Sequence, residues 1–311
     1  HRDLHSFPTR RSSDLLVLIG GVGFLGVIAL GFGGLYLAAQ SQLNKEVSAP
    51  EGDLALLDGD SSAIKRGEYL VQNVMGCGHS ECHRADFGGG AVMDQQPVGR
   101  VYAPNITAGE GSVTKDYTGK DWVRILRHGV KKDGKRALIM PSEDYTTFSD
   151  QDLASAIAYI KSMPPVNREA LPHSLGPIGL LIAATEPVYA FDKIDHSHKP
   201  AEVKRGPTKE WGQVMAGTCK GCHGEGYSGG KIPGGDPSWP VARNISPDEA
   251  TGIGKWKFED FDKALRTGQR PDGTTLHDAM PWKMYKGMED DDIEALWEYL
   301  RPVPAKPAGG R

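Results

Sequence analysis

The sequence predicts an all-α protein: an N-terminal transmembrane helix followed by two tandem helical units of one kind. Three observations carry this reading. Residues 15–39 form an uncharged apolar run of 25 residues. The remainder of the 311-residue chain repeats itself in two copies of about 100 residues each. Within each copy the apolar residues recur at helical rather than alternating spacing, so no β-strand is required.

The N-terminal run is long enough to span a bilayer as a tilted helix. Its exit, LYLAAQSQ, offers only a weak small-residue cleavage site, which favours an uncleaved anchor over a cleaved signal. Residues 1–14, HRDLHSFPTRRSSD, read as the translation of a sequencing adapter and are set aside as a sequence artefact. That removes the positive charges ahead of the run, so the charge rule for orientation is not applied. A second apolar run, residues 178–184, is far too short to span and is expected to be buried against a domain. The net charge of −4 gives no reason to expect a nucleic-acid partner.

The two copies occupy residues 62–166 and 207–304. A linker at 40–61, a connector at 167–206 and a tail at 305–311 complete the chain. Each copy opens on a Cys-His pair, CHRADFGGG or CKGCHGEGYSGG. An aromatic stands four residues after each histidine, Phe87 and Tyr227, and Gly-Gly follows at Gly89-Gly90 and Gly229-Gly230. PNIT and RNIS come next, offset by one residue. Amphipathic helices follow, with Trp122, Ile125 and Leu126 on one face and Phe261, Ala264 and Leu265 on the other copy's face. Each ends at a glycine and an Asp-Gly turn, Asp133-Gly134 and Asp272-Gly273. From Met140-Pro and Met280-Pro onward the copies align without a gap, through Tyr145/Tyr285 and Asp152/Asp292 to Pro164/Pro304. The closing helices carry the stripes Leu153, Ile157, Ile160 and Ile293, Leu296, Leu300, with acidic first turns that suit the helix dipole. A unit this small buries a modest core and needs a staple or a cofactor.

Cys219, Cys222 and His223 stand in C-K-G-C-H, the attachment pattern of a c-type haem. Two thiols two residues apart reach the two vinyl groups, and the next residue faces the iron. A methionine from a distant loop fills the sixth site and raises the potential. Met280 has the right place in the chain, 57 residues after His223. In the first copy Cys77, Cys82 and His83 are spaced C-x-x-x-x-C-H, two residues longer, and Met140 again lies 57 residues after His83. Zinc wants four ligands, usually from a second Cys/His pair, and each pair here stands alone in its copy. A disulfide would leave the adjacent histidine and the Met-Pro unexplained.

Both units resemble cytochrome c domains, and residues 62–304 resemble the membrane-anchored dihaem cytochrome c family of bacteria. The motifs are CKGCH, the two Met-Pro pairs, the Asn-Ile-Thr/Ser pairs and the closing helices. The longer cysteine spacing departs from the pattern. The resemblance implies two tandem cytochrome c-type domains and two c-type haems. Cys77, Cys82, Cys219 and Cys222 would be bound covalently, with His83/Met140 and His223/Met280 as axial ligands. Asn105 and Asn244 are candidates to hydrogen-bond a haem propionate or to hold a loop. Met284 is the runner-up ligand at the second haem. Met75, Met93, Met163, Met215 and Met288 are assigned to packing. His79 is expected on the surface, and His128, His173, His196, His198 and His277 on the surface or in the connector. Trp122, Phe261, Tyr145 and Tyr285 are expected to pack on haem or core.

Two six-coordinate haems leave no open iron site, so the reading is a relay rather than an enzyme. Single electrons would pass between a periplasmic or membrane dehydrogenase or quinol oxidoreductase and a terminal acceptor. The haem domains would face the periplasm from the bacterial cytoplasmic membrane, beside redox partner proteins. The alternative is a dihaem redox enzyme, peroxidase-like or thiosulfate-oxidising, which a missing Met140 or Met280 would have favoured.

Overall fold

A computed structural model describes residues 10–79, 82–186, 188–233, 235–236 and 238–310, with side chains from Ile19 onward. Most of the sequence artefact assigned to residues 1–14 therefore lies outside the described residues.

Helix α1, Arg10–Leu43, contains the apolar run and projects away from the rest of the chain: Phe24, Leu30 and Leu37 are all exposed. The stretch Ile19–Leu43 is long and apolar enough to cross a membrane.

Each unit is built on a pair of crossed helices. In the first, α2 (Ser61–Leu70) crosses α4 (Asp150–Ser162); in the second, α6 (Lys209–Met215) crosses α10 (Asp290–Leu300). Both crossings are closed by a glycine. A methyl group on Gly67 would lie 1.9 Å from the Ser155 carbonyl oxygen, and one on Gly212 would lie 1.9 Å from that of Ala295. Nothing larger than hydrogen fits between the two backbones. Asp60 caps α2 by accepting from Ser62 N and Ala63 N, and Thr208 caps α6 by accepting from Trp211 N. The helices α3 (Gly119–His128) and α8 (Phe258–Thr267) bury Trp122, Ile125, Phe261, Ala264 and Leu265. They end at Gly129 (φ 64°) and Gly268 (φ 72°), the left-handed stop that glycine takes most readily. The stripes on α4 and α10 are buried throughout.

The expectation of a strand-free chain is corrected. Strands β1 (Gly90–Gln95), β2 (Gly99–Ala103) and β3 (Ser174–Leu175) form a three-stranded antiparallel sheet in the first unit. The strands are short, and β3 is two residues from the connector, so pairing across long sequence separation rather than local pattern makes them. A bulge between Ala91 and Met93 absorbs one residue of β1. Among the described residues, the same place in the second copy holds one isolated bridge, Gly230 to Ala242. The one-residue offset between the copies falls in this segment.

Linker, connector and tail are all docked. Leu54 is buried against the α3 start, where a methyl on Gly119 would meet the Leu54 carbonyl. The connector supplies β3 and α5 (Pro177–Thr185), which packs on α1, β2 and β3. Residues 178–184 are only half as expected: Gly179 and Ala183 are buried, but Ile178 and Leu181 remain exposed. In the tail, Lys306 N donates to Ser246 Oγ and Gly309 N to the Ser228 carbonyl.

The units meet through an approximate two-fold relation. A 3-10 turn, Ser142–Tyr145, packs on the 3-10 turn Ala216–Cys219 and on α7 (Lys220–His223); α9 (Trp282–Tyr285) packs on a π-helical turn, Val71–Met75. Thr147 Oγ1 donates to the Val214 carbonyl (2.8 Å), and Tyr69 Oη to the Asp292 carboxylate. One hydrophobic cluster runs through both units.

Candidate functional site

The site follows from how each Cys-His pair is held. In the second unit α6 runs directly into the 3-10 turn and then α7, a single turn carrying Cys222 and His223, with Cys219 just ahead of it. His223 is buried, and its Nδ1 lies 2.7 Å from the Arg243 carbonyl oxygen. In the first unit His83 Nδ1 lies 2.9 Å from the Pro104 carbonyl oxygen. A carbonyl only accepts, so Nδ1 carries the proton in both rings and Nε2 is the ring nitrogen whose lone pair could bind a metal. Burial lowers the His83 pKa, which favours that neutral form.

The chain around both histidines is the same. Phe87 and Tyr227 take the left-handed conformation (φ 53° and 57°), and Gly89 N and Gly229 N return to the His83 and His223 carbonyls. Ile106 N then bonds the Phe87 carbonyl and Ile245 N the Tyr227 carbonyl. Asn105 and Asn244 lock this loop. Asn105 Nδ2 donates to the Val166 carbonyl (2.6 Å) and Oδ1 accepts from Thr107 N (2.9 Å). Asn244 Nδ2 donates to the Lys306 carbonyl (2.7 Å) and Oδ1 accepts from Ser246 N (2.9 Å). Both amides are buried and engaged with the chain, so of the two roles open from sequence the geometry carries the loop-holding one.

The leading segments differ. Gly67 stands ten residues before Cys77 and Gly212 seven before Cys219. The π-helical turn occupies this longer stretch and ends on Gly76 in the left-handed region. Cys77 follows, and the enlarged loop folds back on itself: His83 N donates to the Cys77 carbonyl (3.0 Å) and Cys82 N to that of His79 (2.9 Å). Two loop residues, Ser80 and Glu81, lie outside the described residues.

A cavity of about 530 Å³ lies between the units. Cys82 and Met140 line it from the first, and Cys219, Cys222, His223 and Met280 from the second. Tyr145 and Tyr285 line it as well. Cys77 and His83 lie beside it rather than on its wall, and none of the four thiols is in a disulfide. Tyr145 Oη donates to the Met75 carbonyl (3.1 Å), tying the turn after Met140 to the segment before Cys77. Asp144 is buried at the unit boundary and accepts from Gly221 N (3.1 Å); burial raises its pKa well above the ordinary value.

Two expectations change. His79 is half-buried and lines the cavity, drawn in by the enlarged loop. His128 is buried, its Nδ1 3.0 Å from that of His196, and burial with the neighbouring His196 and Arg127 pushes its pKa down to about 4. Met284 lines the same cavity as Cys219, Cys222 and His223, and its sulfur faces Gly76 of the first unit, where an added methyl would lie 3.0 Å from it. Gly67 and Gly212 escaped notice because the unequal lead-in hides their match; small residues on a helical face were their only signal.

Burial pushes the Cys77 and Cys219 thiols up to about 12. Among the described residues no three His, Cys, Asp or Glu side chains converge as a metal cluster. The donor set fits haem: paired thiols, a histidine with its outer nitrogen tied down, and a methionine on the same cavity.

A loop-to-helix C-x-x-C-H with its histidine held in this way is the arrangement that a c-type haem requires. Residues 212–304 match the cytochrome c family model. It is 28% identical over 276 residues to the cytochrome c subunit of the quinone alcohol dehydrogenase of Gluconobacter oxydans, covering 81% of this chain and 57% of the relative. It is 29% identical over 280 residues to the gluconate 2-dehydrogenase cytochrome c subunit of Pantoea cypripedii, covering 80% and 61%. A diheme cytochrome c-type protein of Cereibacter sphaeroides is 35% identical over 112 residues, 33% of this chain and 36% of the other. The chain thus spans little more than half the length of the dehydrogenase subunits it matches.

Proposed function

We propose that the chain is a membrane-tethered dihaem cytochrome c that relays single electrons from a membrane dehydrogenase to a further acceptor. The observation that carries this is the convergence of Cys82, Met140, Cys219, Cys222, His223 and Met280 on one cavity built by both units. Each haem iron supplies a one-electron couple. Cys77 and Cys82 would hold one haem and Cys219 and Cys222 the other by thioether bonds. His83 and His223 would present Nε2, and Met140 and Met280 would close the sixth positions and hold the potentials high.

Tyr145, Met284 and the packed 3-10 turns Ser142–Tyr145 and Ala216–Cys219 stand between the sites, so an electron would cross the unit boundary through one contact. The two domains proposed are residues 62–166 and 207–304, with the docked tail added to the second. Anchoring by Ile19–Leu43 would keep both on the periplasmic face, where thioether attachment takes place. The relatives named as cytochrome c subunits of dehydrogenases make such an enzyme the favoured electron donor.

The test is a pyridine haemochromogen assay with electron paramagnetic resonance on the purified full chain. Two covalent haems per chain and low-spin ferric signals are expected. One haem, or a high-spin five-coordinate ferric signal, would overturn the dihaem relay.

A further inference from the structure

α5 is an unusual helix for the surface of a water-facing unit. Its nine residues, PIGLLIAAT, include no charged side chain. Gly179 and Ala183 form its inner face, and the fit is tight: a methyl on Gly179 would lie 2.1 Å from the Val98 carbonyl oxygen of the loop leading into β2. The outer face is apolar too, with Ile178 and Leu181 exposed at 42% and 49%. A helix turned toward water carries polar residues on that side.

Its position explains the composition. Along the described part of α1 burial begins only at Leu35 and is complete at Ala39, so α5 meets α1 near its C-terminal end. The stretch Ile19–Leu43 is 25 residues, or roughly 37 Å of helix against a hydrocarbon core of about 30 Å. The last turns of α1 therefore stand in the headgroup layer, and α5 stands there with them. The turn at 131–136, KKDGKR, is bound to the same end. Arg136 Nη2 donates to the Gln42 carbonyl (2.9 Å), Lys135 Nζ to Asn44 Oδ1 (2.9 Å), and Val47 N to the Gly134 carbonyl (3.0 Å). Lys131 and Lys132 of this turn are about half exposed, with Lys131 Nζ 3.3 Å from the Asp133 carboxylate, and Lys132 Nζ 3.8 Å from that of Asp121 and donating to the Asp116 carbonyl (2.8 Å).

We infer that α5 is an interfacial membrane helix, its Ile178–Leu181 face immersed among the lipids beside α1 while Lys131 and Lys132 meet headgroup phosphates. A single spanning helix would leave the units free to swivel. A second contact from the same unit fixes which face of the protein lies on the membrane, and so which direction the cavity between the units faces. This rests on the reading of α1 as a membrane span.

The experiment uses the full haem-loaded chain in nanodiscs of phosphatidylethanolamine and phosphatidylglycerol, spin-labelled at one introduced cysteine. Leu181→Cys and Ile178→Cys report on α5, Leu30→Cys on the anchor, and Val241→Cys on a water-facing loop of the second unit (62% exposed). Collision with oxygen over collision with a water-soluble nickel chelate gives immersion depth. Labels at 181 and 178 are expected at a depth of about 5–10 Å, between Leu30 in the acyl core and Val241 in water. An acyl-core signal at 30 with an aqueous signal at 181 overturns this inference and leaves the anchor standing. An aqueous signal at 30 overturns the anchor and the inference together. A label at 181 shielded from both reagents means protein covers α5, and the inference fails.

Discussion

The two units share a framework and differ in what is added to it. In both, a glycine closes the crossing of first and last helices, a left-handed aromatic turns the chain behind the histidine, and an asparagine clasps that loop to the chain beyond the last helix. What differs is the approach to the first cysteine, the strain before the methionine and the cover over the loops. The first unit has a π-helical turn and two extra loop residues where the second has a continuous helical lead-in. Ile139, just before Met140, is held at φ 68°, a costly conformation for a β-branched residue; its N–H is pinned to the Val188 carbonyl (3.1 Å) of the connector. The sheet, α5 and the connector are additions to the first unit, and β1 reaches the second through Gln95, whose amide donates to the Asp236 carboxylate. The shared parts hold the histidine. The added parts all lie where the first unit meets α1 or the second unit.

Removing the histidines should break the symmetry most sharply. His223→Ala and His83→Ala are each expected to cost one low-spin haem signal while the other unit keeps its own, read by electron paramagnetic resonance and haem content. Loss of both signals from either variant would mean that the units do not bind haem independently. The methionines come next. Met140→Leu and Met280→Leu should each lower one potential, by roughly 0.1–0.2 V within the 0.8 V span that axial ligands command, leaving the other unmoved in a spectroelectrochemical titration. An unchanged pair of potentials would reject both assignments.

The glycines test whether the framework is equivalent. Gly67→Ala and Gly212→Ala both drive a methyl into a carbonyl at 1.9 Å, and each should destabilise its unit by about 2–3 kcal/mol in denaturant unfolding. A large cost in one unit and none in the other would show that only one crossing is closed by contact. The smallest effect separates the units by pH. His128 belongs only to the first unit and has its pKa lowered from 6.5 to about 4 by burial. The unfolded chain therefore binds the proton first, so this stability is present above pH 6.5 and drains away as pH falls from 6.5 toward 4. The loss should be on the order of 1–2 kcal/mol, discounted for partial solvent screening, and His128→Gln should flatten it. An identical pH profile for the variant would remove His128 from the account.

Much of this protein is legible in one dimension. Helix periodicity, the Cys-His pairs and the 57-residue interval to each Met-Pro depend on neighbours close in sequence, so α3, α4, α8 and α10 and the candidate ligands stand out without coordinates. Residues whose meaning depends on a distant partner do not. Asn105 needs Val166, Gly67 needs Ser155, β3 needs β2, and Met284 turns to Gly76 of the other unit. The chain order states that there are two Cys-His sites. That they open onto one cavity follows only from packing the 3-10 turn after Met140 against the segment before Cys222, because burial of apolar surface, not sequence distance, selects which faces of the two units meet.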